Sequence, residues 1–510
     1  MASPFDTVQG FKPGKTPFNL SYTKLFTGDL GPLYIVMCDE MVPGDIFSIA
    51  NNAVVRFNPL VAPILHEISI YAHYYFVPYR ILWDDWEDFI TGGADGADTT
   101  TMLTWNPSDV TAGSLWDQIG FPAGVTPDAD NRPVVFPLYA FNKIYNDYYR
   151  DENLITEVAL TDENIKYRAW MKDYFTSALP WQQRGTAGAL PVSGTTSADW
   201  SGAQSVSIAV GGSSITTNST GQLNPTSNQI TASGTNSGGP ISLTGSLAEA
   251  ALDNNVVDLS SATSFDVTDL RLAIQLQKWQ ERNARGGVRY NEFIKSQYGE
   301  NIGDARLQRP EFIGGTRQPV VVSEVLQNSE TGTTPQGTMA GHGISVASQR
   351  VGRYRAKEFG LVMGIMSVLP RSSYSQGINR QWSRYTRYDY FNPLFAGLSE
   401  QEILRKELYA NGTKTDNETI FGFQGMYDEM RYKPNMYSGE MRYGESYDHW
   451  NLGRYFSSAP SLNQTFIETA SVRKDYLAAP SEPAMLIHWA NILKAARPIP
   501  AIATPGVGRI

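Results

Sequence analysis

From Trp200 to Ala248 the chain carries no Asp, Glu, Lys or Arg, and Lys and Arg are absent from Gly185 to Leu270. A tract this neutral, built from Ser, Thr, Gly, Asn and Gln, cannot be a conventional core helix and lacks the high net charge of a disordered tail. Within it, Ser205–Val210 alternates polar and apolar side chains, and Ile230–Ala232 and Ile241–Thr244 repeat the pattern. Apolar residues at every second position, separated by Gly, Asn and Pro, predict short strands joined by turns. The reading is a β-rich surface insertion over 187–264 with a polar, uncharged outer face. A flexible Gly/Ser linker is the alternative, but a linker does not need strand spacing.

The flanks, 1–186 and 265–510, are ordinary charged protein. Leu33–Met37 is a compact apolar run, and Pro43 with Gly44 signals a turn. Over Ile64–Val77, Ile68, Ile70, Ala72, Tyr74 and Phe76 share one face of a long strand that Pro78 ends. Helical spacing is read at Trp83–Ile90 and Leu138–Tyr149. It recurs from an Asp266 cap through Leu272, Leu276 and Trp279, and again over Tyr290–Tyr298. Two more helices are expected at Ser399–Tyr409, where Leu404 and Leu408 align, and at Glu482–Ala495. Strands return at Pro319–Leu326 and Gly360–Leu369. Strands separated by long, partly helical connections describe a mainly β sandwich with its bulk in loops. No regular βαβ alternation supports a doubly wound or barrel enzyme.

Composition narrows the function. Charged residues are 18% of the chain and aromatics 12%, with 27 Tyr and 11 Trp. Many amphipathic rings and few charges imply extensive buried contact, within the chain or between copies. A net charge of −10 argues against a chain that neutralises nucleic acid over its whole surface. Cys38 stands alone, so no intrachain disulfide can form, which fits assembly in a reducing cytoplasm. The first residues lack signal-peptide character, and no apolar run approaches about 20 residues. His66, His73, His342, His449 and His488 show no metal-ligand spacing, and no cofactor motif is present.

Asp84, Asp85, Glu87 and Asp88 lie around Trp83 and Trp86. Carboxylates beside tryptophans can mark a carbohydrate-binding or carbohydrate-cleaving β-sandwich, the rival reading. Acidic residues at a helix start are also what the macrodipole favours. A second cluster interleaves Arg380, Trp382, Arg384, Tyr385, Arg387 and Tyr388, and Arg350, Arg353, Arg355 and Lys357 add positive charge. Such residues pack subunit against subunit or pair phosphates and stack bases. Trp83, Trp86, Trp382, Arg384 and Tyr388 are the subunit-interface candidates. Arg380, Arg384, Arg387, Arg353 and Arg355 are the DNA-contact candidates.

The runs Asp269–Trp279 and Asn283–Tyr290 resemble the major capsid protein of the Microviridae, the small single-stranded DNA bacteriophages, on their gokushovirus side. The resemblance continues through Asp304–Glu311, Glu324–Gln327, Pro335–Gly341, Gln376–Arg384 and Arg431–Pro434. Val77–Trp83 with Trp86, Glu87 and Phe89, then Lys494–Pro500 and Thr504–Gly506, extend it to both ends. It implies one eight-stranded antiparallel jelly roll, assembled as an icosahedral virion shell around circular single-stranded DNA. The implied partners are further copies of the chain, a small basic DNA-binding protein, a scaffolding protein, a pilot protein and a host surface receptor. The neutral tract falls where such coats carry a variable insertion that protrudes at the threefold axes. Ser213, Asn218, Asn224, Asn228 and Asn236 are then its host-contact candidates, supplying hydrogen bonds without charge.

Overall fold

The computed structural model describes residues 14–93, 97–185, 208–210, 213–215, 267–286, 289–330, 332 and 336–502. Its strands begin with β1 (Thr16–Asn19), β2 (Tyr22–Gly28), β3 (Tyr34–Met41), β4 (Ile46–Phe57) and β5 (Ile68–Pro78). Then come β6 (Ile208–Val210), β7 (Ser213–Ile215), β8 (Glu311–Pro319), β9 (Val321–Leu326), β10 (Met339–Arg355) and β11 (Gly360–Pro370). The series ends with β12 (Ser373–Tyr374), β13 (Glu400–Leu404), β14 (Ile420–Gly425), β15 (Asn435–Met436) and β16 (Met485–Arg497). The fold is mainly β, and its two larger sheets are antiparallel throughout. One runs β1-β16-β4-β10-β9 with β2 also paired to β16, and the other runs β3-β11-β5-β8.

The alternation of side chains explains why these sheets face one another. Phe47, Ile49 and Val55 of β4 and Ile487, Trp489 and Leu493 of β16 meet Val36, Ile70, Tyr74, Val362 and Met366 of the second sheet in one core cluster. The face of β5 read from the sequence is the face found: Ile68, Ile70, Ala72, Tyr74 and Phe76 all belong to it. Buried donors there find acceptors across the gap. The Trp489 indole and the Asn51 amide both donate to the Tyr74 hydroxyl, each at 3.3 Å. The Asn491 amide reaches the Val36 carbonyl at 2.8 Å. Gly364 has no freedom to change, because a Cβ there would lie 2.7 Å from the Tyr74 ring.

The second sheet is buried on its other face too. Tyr75, Val77, Leu361, Met363 and Ile365 pack beneath helices Leu115–Ile119 and Phe136–Ile144, with Trp116, Phe136 and Phe141 among the covering rings. A third cluster joins Tyr174 and Phe175 to Tyr374, Ile403, Leu408, Phe421 and Phe466, all in the long connections.

Two expected helices are strands. Ser399–Tyr409 contains β13 and a short 3-10 turn, and β13 pairs with β14. Glu482–Ala495 contains β16, the strand between β4 and the β1/β2 edge. Its residues favour helix locally, but ladders on both sides and strict in-out burial outweigh a propensity of tenths of a kcal/mol per residue. The helices at Trp86–Thr91, Phe136–Ile144, Val267–Gly286 and Tyr290–Tyr298 lie where their spacing placed them.

Packing divides the chain into two units, 1–184 with 280–510 and 185–279. In the second, β6 and β7 form an antiparallel ladder with Ile208 opposite Ile215. Ser213 opens β7, whereas Asn218, Asn224, Asn228, Asn236 and the expected strands at 230–232 and 241–244 lie outside the described residues, as does Asp266.

His73 gives the fold an acid-sensitive point. It sits on the helix-covered face of β5, with Nδ1 2.8 Å from the Tyr149 hydroxyl. Burial, reinforced by the charge of Arg168, lowers its pKa to about 4. An unfolded histidine protonates near pH 6.5, so between pH 6.5 and 4 the unfolded state holds more protons and stability falls as the pH is lowered. The loss from this residue is about 3 kcal/mol across that window. Thermal unfolding at stepped pH should show His73→Gln losing less stability than the unaltered chain; parallel pH profiles would contradict the assignment.

Candidate assembly and genome-contact surfaces

The loop after β12 is held open by its own short hydrogen bonds. Asn379 caps the 3-10 turn Arg380–Trp382, accepting from the Gln381 N–H at 3.1 Å. Asp389 accepts from the Tyr385 and Thr386 N–H groups at 2.9 and 2.7 Å, and those bonds lower its pKa. Backbone turns fixed in this way do not require a buried side-chain anchor. The rings are left outside: Trp382 is 72% exposed, Tyr385 81% and Leu394 86%. Tyr388, Tyr390, Phe391 and Leu398 are also more than half exposed.

The arginines of the same loop turn inward. Arg380 bonds Glu407 at 3.0 Å and the Glu402 carbonyl at 2.5 Å. Arg384 bonds Glu429 at 3.1 Å, and Glu429 also accepts from Gln401 at 2.6 Å. Burial raises the Glu407 pKa against the pull of Arg380. Desolvation of Arg380 is itself outweighed by Glu407, Tyr174 and Glu429, which hold its pKa above the ordinary value. Neither arginine is a free cation for a phosphate. Arg387 differs: it stacks on Tyr388 at 4.9 Å and donates to that residue's hydroxyl. The loop therefore presents rings with their neighbouring charges mostly cancelled. Glu407 and Glu429 are functional partners that no spacing rule could find, because they lie 27 and 45 residues beyond the arginines they hold.

Arg353 and Arg355 stand elsewhere, on β10, in the sheet whose inner side chains form the core. Register puts Arg353 beside Ser48 of β4, and Ser48 beside Lys494 of β16. Arg350, Arg353, Arg355 and Lys494 are all exposed. Lys494 was hidden from a sequence reading that expected a helix there.

Trp86 is buried against Tyr79 and Phe136, so its surface is spent inside the subunit. Trp83 is partly buried against Phe89 and Phe136. Neither is a free platform, and Asp84, Asp85, Glu87 and Asp88 point outward at the start of the short helix Trp86–Thr91. Asp448, His449 and Asp475 are close enough to hold a cation, but Arg473 already bonds Asp475 at 2.7 Å and lies 3.7 Å from Asp448.

An exposed uncharged ring cluster and an exposed cationic sheet face are surfaces for contact rather than for bond making. Comparison with known proteins agrees. The capsid protein (F protein) family of phages matches residues 6–507. The chain belongs to this F capsid family. It is 33% identical to capsid protein VP1 of Chlamydia phage 1, over 100% of this chain and 96% of that protein. Against VP1 of Bdellovibrio phage phiMH2K it is 35% identical, over 91% and 90%. Against VP1 of Spiroplasma virus 4 it is 30% identical, over 99% and 98%. As an F-family coat it is a structural component of the virion, not an enzyme, and the carbohydrate-cleaving reading falls away.

The two kinds of residue in the loop separate by experiment. Trp382→Ser with Tyr385→Ser should leave the unfolding free energy of the unassembled chain within about 0.5 kcal/mol, since both rings are already in water. Glu407→Ala removes the carboxylate that holds the partly buried Arg380 guanidinium and should cost about 2–3 kcal/mol. Denaturant unfolding reads both; large destabilisation by the ring double variant would remove the loop from consideration as a contact surface.

Proposed function

We propose that the subunit is an eight-stranded jelly roll whose copies close into an icosahedral shell around single-stranded DNA. The strand orders β2-β16-β4-β10, within the six-stranded sheet, and β3-β11-β5-β8 support this, because facing sets of four strands with long cross-connections are what two interleaved Greek keys produce. The observation that carries the assembly reading is the loop at 382–398, a set of large rings standing in water beside internally neutralised arginines. Trp, Tyr and Arg dominate binding hot spots, and single truncations there cost 2 kcal/mol or more. Trp382, Tyr388 and the Arg384-braced backbone between them are the proposed subunit contact. Repeated heterologous contacts close into rings when their rotation permits.

The acidic balance of the chain, −10, favours a small, strongly basic partner between shell and DNA. Scaffolding and pilot proteins complete the proposed set, with assembly in the host cytoplasm. The neutral insertion at 187–264 is proposed to contact the host surface, because Ser, Asn and Thr hydrogen-bond without indiscriminate electrostatic adhesion.

Light-scattering mass and negative-stain imaging of the chain, alone and with scaffolding and basic partners, test the shell. Closed particles of uniform mass are expected; a monomer under every condition overturns the reading. Deleting 202–245 should leave particles intact and reduce adsorption to host cells at least tenfold, and unchanged adsorption would remove the insertion from attachment.

A further inference from the structure

We infer that the outward face of the β1-β16-β4-β10-β9 sheet is the genome-facing side of the subunit, with Arg350, Arg353, Arg355 and Lys494 taking phosphates of single-stranded DNA. The inference rests on the shell reading and adds to it an orientation and a site.

Register identifies the outward side chains of β4, β16 and the paired part of β10. Because Phe47, Ile49, Ala53, Val55 and Phe57 point into the core, Ile46, Ser48, Ala50, Asn52, Val54 and Arg56 of β4 point out. Pairing carries the same parity to Leu486, His488, Ala490, Ile492, Lys494 and Ala496 of β16. It carries it also to Ile344, Val346, Ser348, Arg350, Arg353 and Arg355 of β10, across a bulge between Arg350 and Gly352. None of these outward positions is Asp or Glu, nor are Thr23, Leu25 and Thr27 of β2 or Pro17 and Asn19 of β1, in a chain where acids outnumber bases 51 to 41.

Many cations elsewhere in the chain are paired. Arg80, Arg285, Arg317, Arg380, Arg384 and Arg497 each hold a carboxylate. Arg350, Arg353, Arg355 and Lys494 are exposed and have no such partner among the described residues. Arg350, Arg353 and Lys494 rim a shallow open depression floored by Ser48, Ala496 and Asn19. Lys494 and Arg353 sit one strand apart on either side of Ser48, which places their Cα atoms about 10 Å from each other. Unpaired like charges held on a rigid sheet repel one another, and a polyanion relieves that repulsion.

The other end of the same face sets exposed aliphatic side chains beside Arg56 and His488. Leu25, Leu486 and Val346 are more than half exposed, around Val54. A duplex hides its base faces, whereas a single strand offers them, so phosphates on the cationic end and bases on the aliphatic end fit one ligand. An acidic peptide would use only the first.

The test uses the full chain carrying Arg350→Gln, Arg353→Gln and Lys494→Gln, and a second variant with Glu at the same three positions. All three side chains point to solvent, so the sandwich core is untouched. Binding to oligothymidylate is measured against salt, and DNA content is measured in purified particles. Each lost single-strand phosphate contact lowers the log–log salt slope by about 0.7, so the Gln variant should lose about 2 from it. At least tenfold weaker binding at 0.1 M salt and shells that still form with less protected DNA are the expected results. Polyglutamate of matched charge should compete at least tenfold less well than oligothymidylate. An unchanged slope, full DNA content, or equal competition by polyglutamate overturns the inference, as does loss of shells with undiminished oligonucleotide binding. If the unaltered chain forms no shells, the shell reading fails, while the oligonucleotide titration still judges this face.

Discussion

Strand β11 has no solvent-facing side. All eleven of its residues are buried, because its sheet is apolar above and below. A sheet of that kind must be covered twice. The first sheet covers one face and encloses the core around Trp489 and Tyr74. The long connections cover the other, through Trp116, Phe136 and Phe141. The connections are thereby clamped to the sandwich at the cost of ordering their backbone, and loops so anchored can carry exposed rings without collapsing onto them. Among the described residues, the outer face of the first sheet carries no such cover.

Charge follows the same division. In the connections, arginines are drawn in and neutralised, as Arg380 is by Glu407 and Arg384 by Glu429. Breaking such a pair is far costlier than never having built it, so these residues hold the loop's shape rather than recruit a ligand. What that loop shows outward is Trp382, Tyr385 and Leu394. On the outer sheet face the opposite holds: among the described residues the arginines of β10 and Lys494 are exposed and have no carboxylate partner. One subunit therefore offers two chemically distinct surfaces, one of exposed rings and one of exposed cations.

The sequence reading reached some elements and missed others for identifiable reasons. The face of β5 and helix Tyr290–Tyr298 were legible because their periodicity is set by one local segment. β16 was not. Its helix-forming composition conceals a strand whose partners, β4 and β2, are more than 400 residues away in the chain. Missing that strand hid Lys494 as well. Arg380, Arg384 and Arg387 read as one basic cluster, because a linear string does not show the glutamates that fold against two of them. Trp86 read as an interface ring and lies in the core, since aromatic residues are chosen equally for both environments.

By itself the amino-acid sequence determined the β class, the uncharged tract between two charged flanks, the single cysteine and the motifs shared with phage coats. These depend on composition and on short-range spacing, which survive without coordinates. Which arginines are free, which rings are buried and which sheet face remains open were decided only by the tertiary structure. The reason is that exposure and charge compensation belong to pairs of residues, and the decisive pairs here are made by strands and loops from opposite ends of the chain.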